Sequence, residues 1–347
     1  MFRKKKIDKM NLKNSKRKRR LKLKYFLYLF IIYLSFAYTF YSSMQNNKKI
    51  NNSEFVNYLI SGGSIDKLDE INLVNVVNKT MNVFLNIDFS KPISLLNMSI
   101  LGQKKEEINT INLVGEDDYS NLEELKKISE YIEDPNPVDI NNPVVLIYNT
   151  HQLENYDSKN LDIYGITPNV MMASYLLKEK LNKMGISTVV EDTNISDFLN
   201  LNGWDYSSSY KASRLLIMDK ISKYPSLKYF IDLHRDSVGR DLTVVDISGK
   251  KYAKILFVIG LEHDNYNSNL ELATNINNLF ISNYPNISRG ILKKEGPNVD
   301  GIYNQDLSSN SMLIELGGVE NNIEEVLNTV EAISVVLKKY IEDDKNE

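Results

Sequence analysis

From Pro143 onward, short blocks of consecutive apolar residues alternate with longer stretches in which apolar positions recur every three or four residues. The blocks read as strands buried on both faces, and the stretches as helices with one face toward a core. The pattern predicts strands at Val144 to Tyr148 (VVLIY), Ile186 to Glu191 (ISTVVE), Tyr229 to Leu233 (YFIDL), Ala253 to Gly260 (AKILFVIG) and Ser311 to Leu316 (SMLIEL). Helices are predicted at Val170 to Met184, stopped by Gly185, and at Tyr210 to Tyr224, Asn269 to Asn283 and Ile323 to Ile341. Such alternation specifies an α/β fold: a central, mostly parallel sheet flanked by helices.

Before Pro143 the pattern differs. Tyr25 to Phe40 (YFLYLFIIYLSFAYTF) is apolar and uncharged. It predicts one transmembrane helix, placed at 25–42, slightly short of the usual span of about 20 residues, with tyrosines at both ends to extend it into the interface. Of the 42 Lys and Arg residues, 13 lie in Met1 to Lys24, where Asp8 is the one acidic residue. By the positive-inside rule this flank stays cytoplasmic, and everything after residue 45 is outside. A cleaved signal peptide would share the basic start and apolar stretch. No small-x-small cleavage site follows Phe40, and either reading exports the rest.

The next part, 43–140, reads as a mixed, mainly helical spacer. It has amphipathic pieces at Glu54 to Ile60 and Leu68 to Leu85, and an acidic stretch at Asp117 to Ile132. Residues 133–143 (EDPNPVDINNP) contain three prolines among turn-forming Asp and Asn, which marks a linker. The expected organisation is a basic tail at 1–24, an anchor at 25–42, the spacer at 43–140 and a catalytic domain at 141–347.

The net charge of -3 hides the asymmetry: beyond the tail, 29 basic residues face 44 acidic ones. A nucleic-acid binder would carry its basic surface on the folded domain, so that class is excluded. There is no cysteine, which removes disulfides, thiolate metal ligands and a thiol nucleophile. Any metal must be held by His, Asp, Glu or Asn, and the histidines are three: His151, His234 and His263.

Two of these, with one carboxylate, fall at predicted strand ends. His151 follows the first strand by three residues, His234 directly follows YFIDL, and Glu315 lies near the end of SMLIEL. Ligands of open α/β sheets bind at the carboxyl ends of the strands. His151 and Glu154 form an H-x-x-E pair, and with His234 they make the His₂Glu set of catalytic zinc sites. Asn169 is the reserve ligand should Glu154 point away. Asp232 or Asp236 would accept the second N–H of His234 and fix its tautomer. Glu315, a charge inside an apolar strand, needs a metal, a cation or a water beside it, and near a zinc-bound water it is the expected general base. His263 lies among polar loop residues and reads as surface or outer-shell. Arg289 and the loop Gly301 to Leu307, with Asn304, are candidates for holding a substrate carboxylate or peptide backbone.

Together, YNTHQLENY, FIDLHRDS, FVIGLEHDNYNSNLELA, YPNISRGI and IYNQDLSSNSMLIELGGVENNIEE resemble the stage II sporulation protein P (SpoIIP) family, from Val144 to about Glu325. These are peptidoglycan hydrolases related to zinc N-acetylmuramoyl-L-alanine amidases. The resemblance implies a zinc-amidase-like fold, a Zn²⁺ cofactor, and cleavage of the amide between N-acetylmuramic acid and L-alanine as well as of peptide cross-links. His151, His234 and Glu315 match the family's essential motif positions. It further implies action between mother cell and forespore during engulfment, with SpoIID, a lytic transglycosylase, and SpoIIM as partners. In the wider amidases a glutamate opening the helix after the first histidine is the third ligand; here that helix begins GITPNV and has none, which leaves Glu154 and Asn169. A zinc carboxypeptidase, with Arg289 capturing a terminal carboxylate, and a non-catalytic peptidoglycan-binding scaffold are the alternatives.

Overall fold

A computed structural model describes residues 22, 24–39, 41, 50–65, 68, 134–137, 140–158 and 161–344. The expected acidic stretch at 117–132, and all of the piece at 68–85 except Leu68, lie outside the described residues. The chain divides into two compact units: the helical residues 24–39 belong to one, and residues 50–63 and 134–344 to the other.

In the first unit, 24–39 is one helix with its apolar side chains exposed, Tyr25, Phe26, Tyr28 and Ile32 among them. Among the described residues no helix is long and apolar enough to cross a membrane. The expected span at 25–42 is therefore not found as such. The helix described there rises only about 24 Å against a hydrocarbon layer of roughly 30 Å, and residues 40 and 42 lie outside the described part.

The second unit opens with α1 (Asn52–Ile60). Asn51 caps it, accepting from the Glu54 N–H at 2.7 Å, while Glu54 reaches back to the Asn51 N–H, a capping box. Phe55 and Val56 are buried, and the Ile50 N–H donates to the Tyr164 carbonyl at 2.8 Å. This helix, from the expected spacer, thus packs with the α/β domain.

The sheet is six-stranded: β1 (Val145–Tyr148), β2 (Thr188–Val190), β3 (Tyr229–Asp236), β6 (Ile255–Gly260), β7 (Ser288–Lys294) and β8 (Ser311–Gly318), in the order β2-β1-β3-β8-β6-β7. β1 and β6 are buried at every position, which is why they read as unbroken apolar blocks. The strands β2, β1, β3 and β8 run parallel, and β6 and β7 are parallel to each other but antiparallel to β8. A separate hairpin, β4 (Val244–Ile247) with β5 (Lys250–Ala253), stands between β3 and β6 in the chain.

The helices are α2 (Val170–Lys183), α3 (Ile195–Leu201), α4 (Ser209–Lys223), the single turn α5 (Arg240–Thr243), α6 (Tyr266–Asn283) and α7 (Ile323–Asp344). Ile217 of α4 packs on Leu146, Tyr148 and Phe230 on one face of the sheet. α2 and α7 pack on each other, and α6 packs on β6 and β7. The linker is tied down by a buried charge: Lys178 of α2, 1 % exposed, places its Nζ 2.6 Å from Asp134 and 3.0 Å from the Asn136 carbonyl. The pattern missed α3, the hairpin and β7. All three are short or half-exposed, so their apolar positions form no clear block.

Candidate active site

The carboxyl ends of β1, β3 and β8 lie side by side, and the parallel register of β3 and β8 sets His234 directly beside Glu315. One pair further back, Tyr148 of β1 lies beside Asp232. His151, on the loop after β1, brings its ring to 5.3 Å from that of His234, nearly perpendicular. That loop is pinned on both sides of the histidine. The Thr150 N–H and hydroxyl donate to Asp232 at 3.0 and 2.8 Å, and the Gln152 side chain donates to the Thr193 carbonyl and accepts from the Ile195 N–H at the start of α3. Farther along, the Tyr156 hydroxyl donates to the Leu316 carbonyl of β8 at 3.0 Å.

His234 sits between two carboxylates. Its Nδ1 is 3.3 Å from Glu154 Oε2, and its Nε2 is 2.9 Å from Asp232 Oδ1. Glu154 also accepts the Arg235 N–H at 2.8 Å, so the H-x-x-E glutamate does turn toward β3. Burial works against a charge on His234, but Asp232 and Glu154 outweigh it and hold its pKa well above the usual value. His151 goes the other way: burial, then the neighbouring His234, lower it, with Glu154 and Asp232 opposing. Glu315 is pushed up to about 7, first by burial; His234 pulls it down while Glu154, Asp236 and Asp232 push it further up.

Two buried atoms at this edge make no hydrogen bond: His151 Nδ1 and Glu315 Oε2. Imidazole nitrogens and carboxylates are suitable donors for a divalent cation. Among the described residues, however, no three His, Asp or Glu side chains are drawn together so as to enclose one. Asn169 caps α2, its side-chain oxygen accepting from the Met172 N–H at 3.1 Å.

Asp236 is turned to Arg289, which donates to it at 2.7 Å across β3 and β7. Arg235 spends its Nε on the Asn155 carbonyl. Asn304 is buried, with its amide donating to the Tyr210 carbonyl at 3.1 Å and to Ser213 Oγ at 2.9 Å, inside the fold beneath the site. It and Tyr303 both have positive φ, 55° each, which bends the loop back onto α4. Because β6 is reversed, its carboxyl end is level with the start of β8, and His263 falls there, away from the His234 edge.

Sequence reasoning missed the tyrosines. Tyr206, on a short 3₁₀ turn (Tyr206–Ser208), stacks on His151 at 4.9 Å and 24°. Tyr210 meets the same ring edge-on at 5.6 Å, and Tyr303 meets Tyr210 at 5.4 Å. No local pattern could have marked them, since the partner ring is more than fifty residues away.

Fold and site together define a class: an α/β-sheet protein with a buried imidazole and carboxylate cluster at its strand ends. The family model of stage II sporulation protein P (SpoIIP) matches residues 69–338. The chain belongs to that family. It is 34 % identical over 206 residues to the stage II sporulation protein P of Bacillus subtilis (strain 168), an alignment covering 58 % of this chain. The match spans about half of that relative, 51 % of its length.

Among solved structures, the chain is similar to an N-acetylmuramoyl-L-alanine amidase from Clostridium difficile 630, at 15 % identity and a TM-score of 0.37, covering 60 % of this chain and 99 % of that one. It is also similar to the CwlD amidase of Clostridioides difficile in complex with the GerS lipoprotein (12 %, TM-score 0.40, covering 57 % and 98 %). A third is a metallo-carboxypeptidase from Burkholderia cenocepacia (12 %, TM-score 0.36, covering 59 % and 58 %).

Proposed function

We propose that this chain hydrolyses peptidoglycan during sporulation, as a zinc-dependent N-acetylmuramoyl-L-alanine amidase that also cuts peptide cross-links. The observation that carries the reading is the register pair His234 and Glu315, with His151 beside it and a buried atom without a hydrogen-bond partner on both His151 and Glu315. Leaving such atoms unpaired costs roughly 1–3 kcal/mol each, so their convergence points to a ligand. His151, His234 and Glu154 are the residues that would hold the ion. When bound, zinc would supply a Lewis acid for the amide carbonyl and acidify a water.

The remaining work falls to the chain's own groups. Glu315, held near 7, takes a proton from the attacking water and returns it to the leaving amine, and a pKa close to neutral serves both steps. Asp232, oriented by both donors of Thr150, steadies the His234 ring. Arg289, paired with Asp236 at the end of β3, is the candidate to meet a peptide carboxylate. Family membership supports the sporulation role. The basic residues 1–24 and the exposed apolar helix after them support membrane attachment with the second unit outside. A SpoIID-type transglycosylase and a SpoIIM-type membrane protein are the partners of this reading.

The test uses the full chain in detergent on dye-labelled sacculi. Wild type is expected to release dye and intact stem peptides, and Glu315→Gln to lose at least about a hundredfold in rate. Release of single terminal residues would indicate a carboxypeptidase instead. Undiminished release by Glu315→Gln would reject the catalytic reading.

A further inference from the structure

Resting on the amidase reading above, we propose that Tyr206 is the platform on which the sugar ring carrying the scissile amide stacks. Its ring lies almost parallel to His151, one face covered by the imidazole, and the residue is 60 % exposed. A single exposed tyrosine is ordinary on a protein surface. This one rides on a residue of the reacting edge, and its turn is held from both sides. Asp205 accepts the Ser207 N–H at 3.0 Å, and the Ser209 hydroxyl donates to the Tyr206 carbonyl at 2.7 Å. Behind it, Tyr210 and Tyr303 continue the aromatic surface by edge contacts.

The chemistry of the substrate decides what fits there. In a muropeptide the amide joins L-alanine to a lactyl group carried directly on the pyranose, so the sugar ring is only a few atoms from the bond that breaks. With that bond beside His151 and Glu315, the ring must rest on something within a few ångströms of them. The lactyl carboxyl is consumed in the amide, so this part of the substrate is uncharged and presents a flat C–H face. Charged side chains gather about the end of β3: Arg289 donates to the Asp236 carboxylate, Glu154 accepts the Arg235 backbone N–H, and the Arg235 guanidinium donates to the Asp236 carbonyl. The tyrosines form the uncharged surface against His151, suited to an apolar face with an amphipathic ring.

The experiment compares wild type, Tyr206→Ala, Tyr206→Phe and Tyr206→Trp, all as full chains in detergent. Two substrates share the same amide: a disaccharide muropeptide and a D-lactoyl peptide with no sugar. Removing the sugar is expected to cost wild type about tenfold in kcat/KM, carried by KM, the scale of one good stacking contact. In Tyr206→Ala that penalty should vanish, with kcat on the muropeptide within about twofold of wild type. Phe and Trp should keep it. An equal sugar penalty in wild type and Tyr206→Ala overturns the platform, as does a loss confined to kcat or equal on both substrates, since either would assign Tyr206 to holding His151. If wild type cleaves neither substrate, the amidase reading itself fails and takes the platform with it. If wild type cleaves both and Tyr206→Ala matches it, only the platform is lost.

Discussion

The His234 ring shows how far a residue's surroundings set its charge. Burial alone would make it neutral, yet Asp232 and Glu154 on either side reverse the sign of the shift. The H-x-x-E spacing marked Glu154 as a candidate, but its contact with a ring 80 positions away could not be read locally. A second perturbed residue, Asp192, lies past the end of β2, where burial and then Glu191 raise its pKa to about 6 against the pull of Lys220. An acid with a raised folded pKa binds its proton more tightly when folded. Folding therefore takes up a proton between about pH 4 and 6, and stability falls as pH rises through that window, then levels off. Asp192→Asn should remove this component. Urea titrations of wild type and variant are expected to diverge by roughly 1–3 kcal/mol between pH 4 and pH 7, the variant gaining relative to wild type. Parallel pH profiles would show that Asp192 keeps its ordinary pKa.

At the level of elements, the site depends on how β3 and β8 meet. Their register shifts between His234 and Asp236, and Gly318 at the end of β8 approaches the chain leaving β3 so closely that a Cβ would fall 2.4 Å from the Val238 carbonyl oxygen. Gly318→Ala must push the two strand ends apart. It is expected to cost about 1–3 kcal/mol in chemical denaturation and to lower dye release through the displaced His234 and Glu315. Retention of full stability would mean that the strand ends yield easily. The linker offers a second case. Asp134→Asn takes the nearer carboxylate from the buried Lys178 ammonium and leaves it Glu179, 3.6 Å away, whereas Lys178→Met removes the charge itself and keeps the volume. The first should destabilise by about 3 kcal/mol and the second by clearly less, measured as midpoint shifts. The reverse order would show that the ammonium is hydrated in solution.

For the whole molecule, the proposed metal predicts that chelation abolishes dye release and lowers the melting temperature by a few degrees, with zinc restoring both, since a ligand bound to the folded state adds to its stability. A chelated protein that still releases dye would remove the metal from the reading. Much of the architecture was legible in advance. The sequence by itself determined the alternating strands and helices and the strand-end places of His151, His234 and Glu315, because burial imposes a period that neighbouring residues carry. Only the tertiary structure decided that β6 and β7 run backwards, which moves His263 to the other edge, and that α1 and the linker join the α/β domain. It also decided that His234 and Glu315 are register partners, that Asn304 is spent inside the fold, and that Tyr206 covers His151. These are pairings between groups distant in the chain, set by strand order and packing, and no local spacing encodes them.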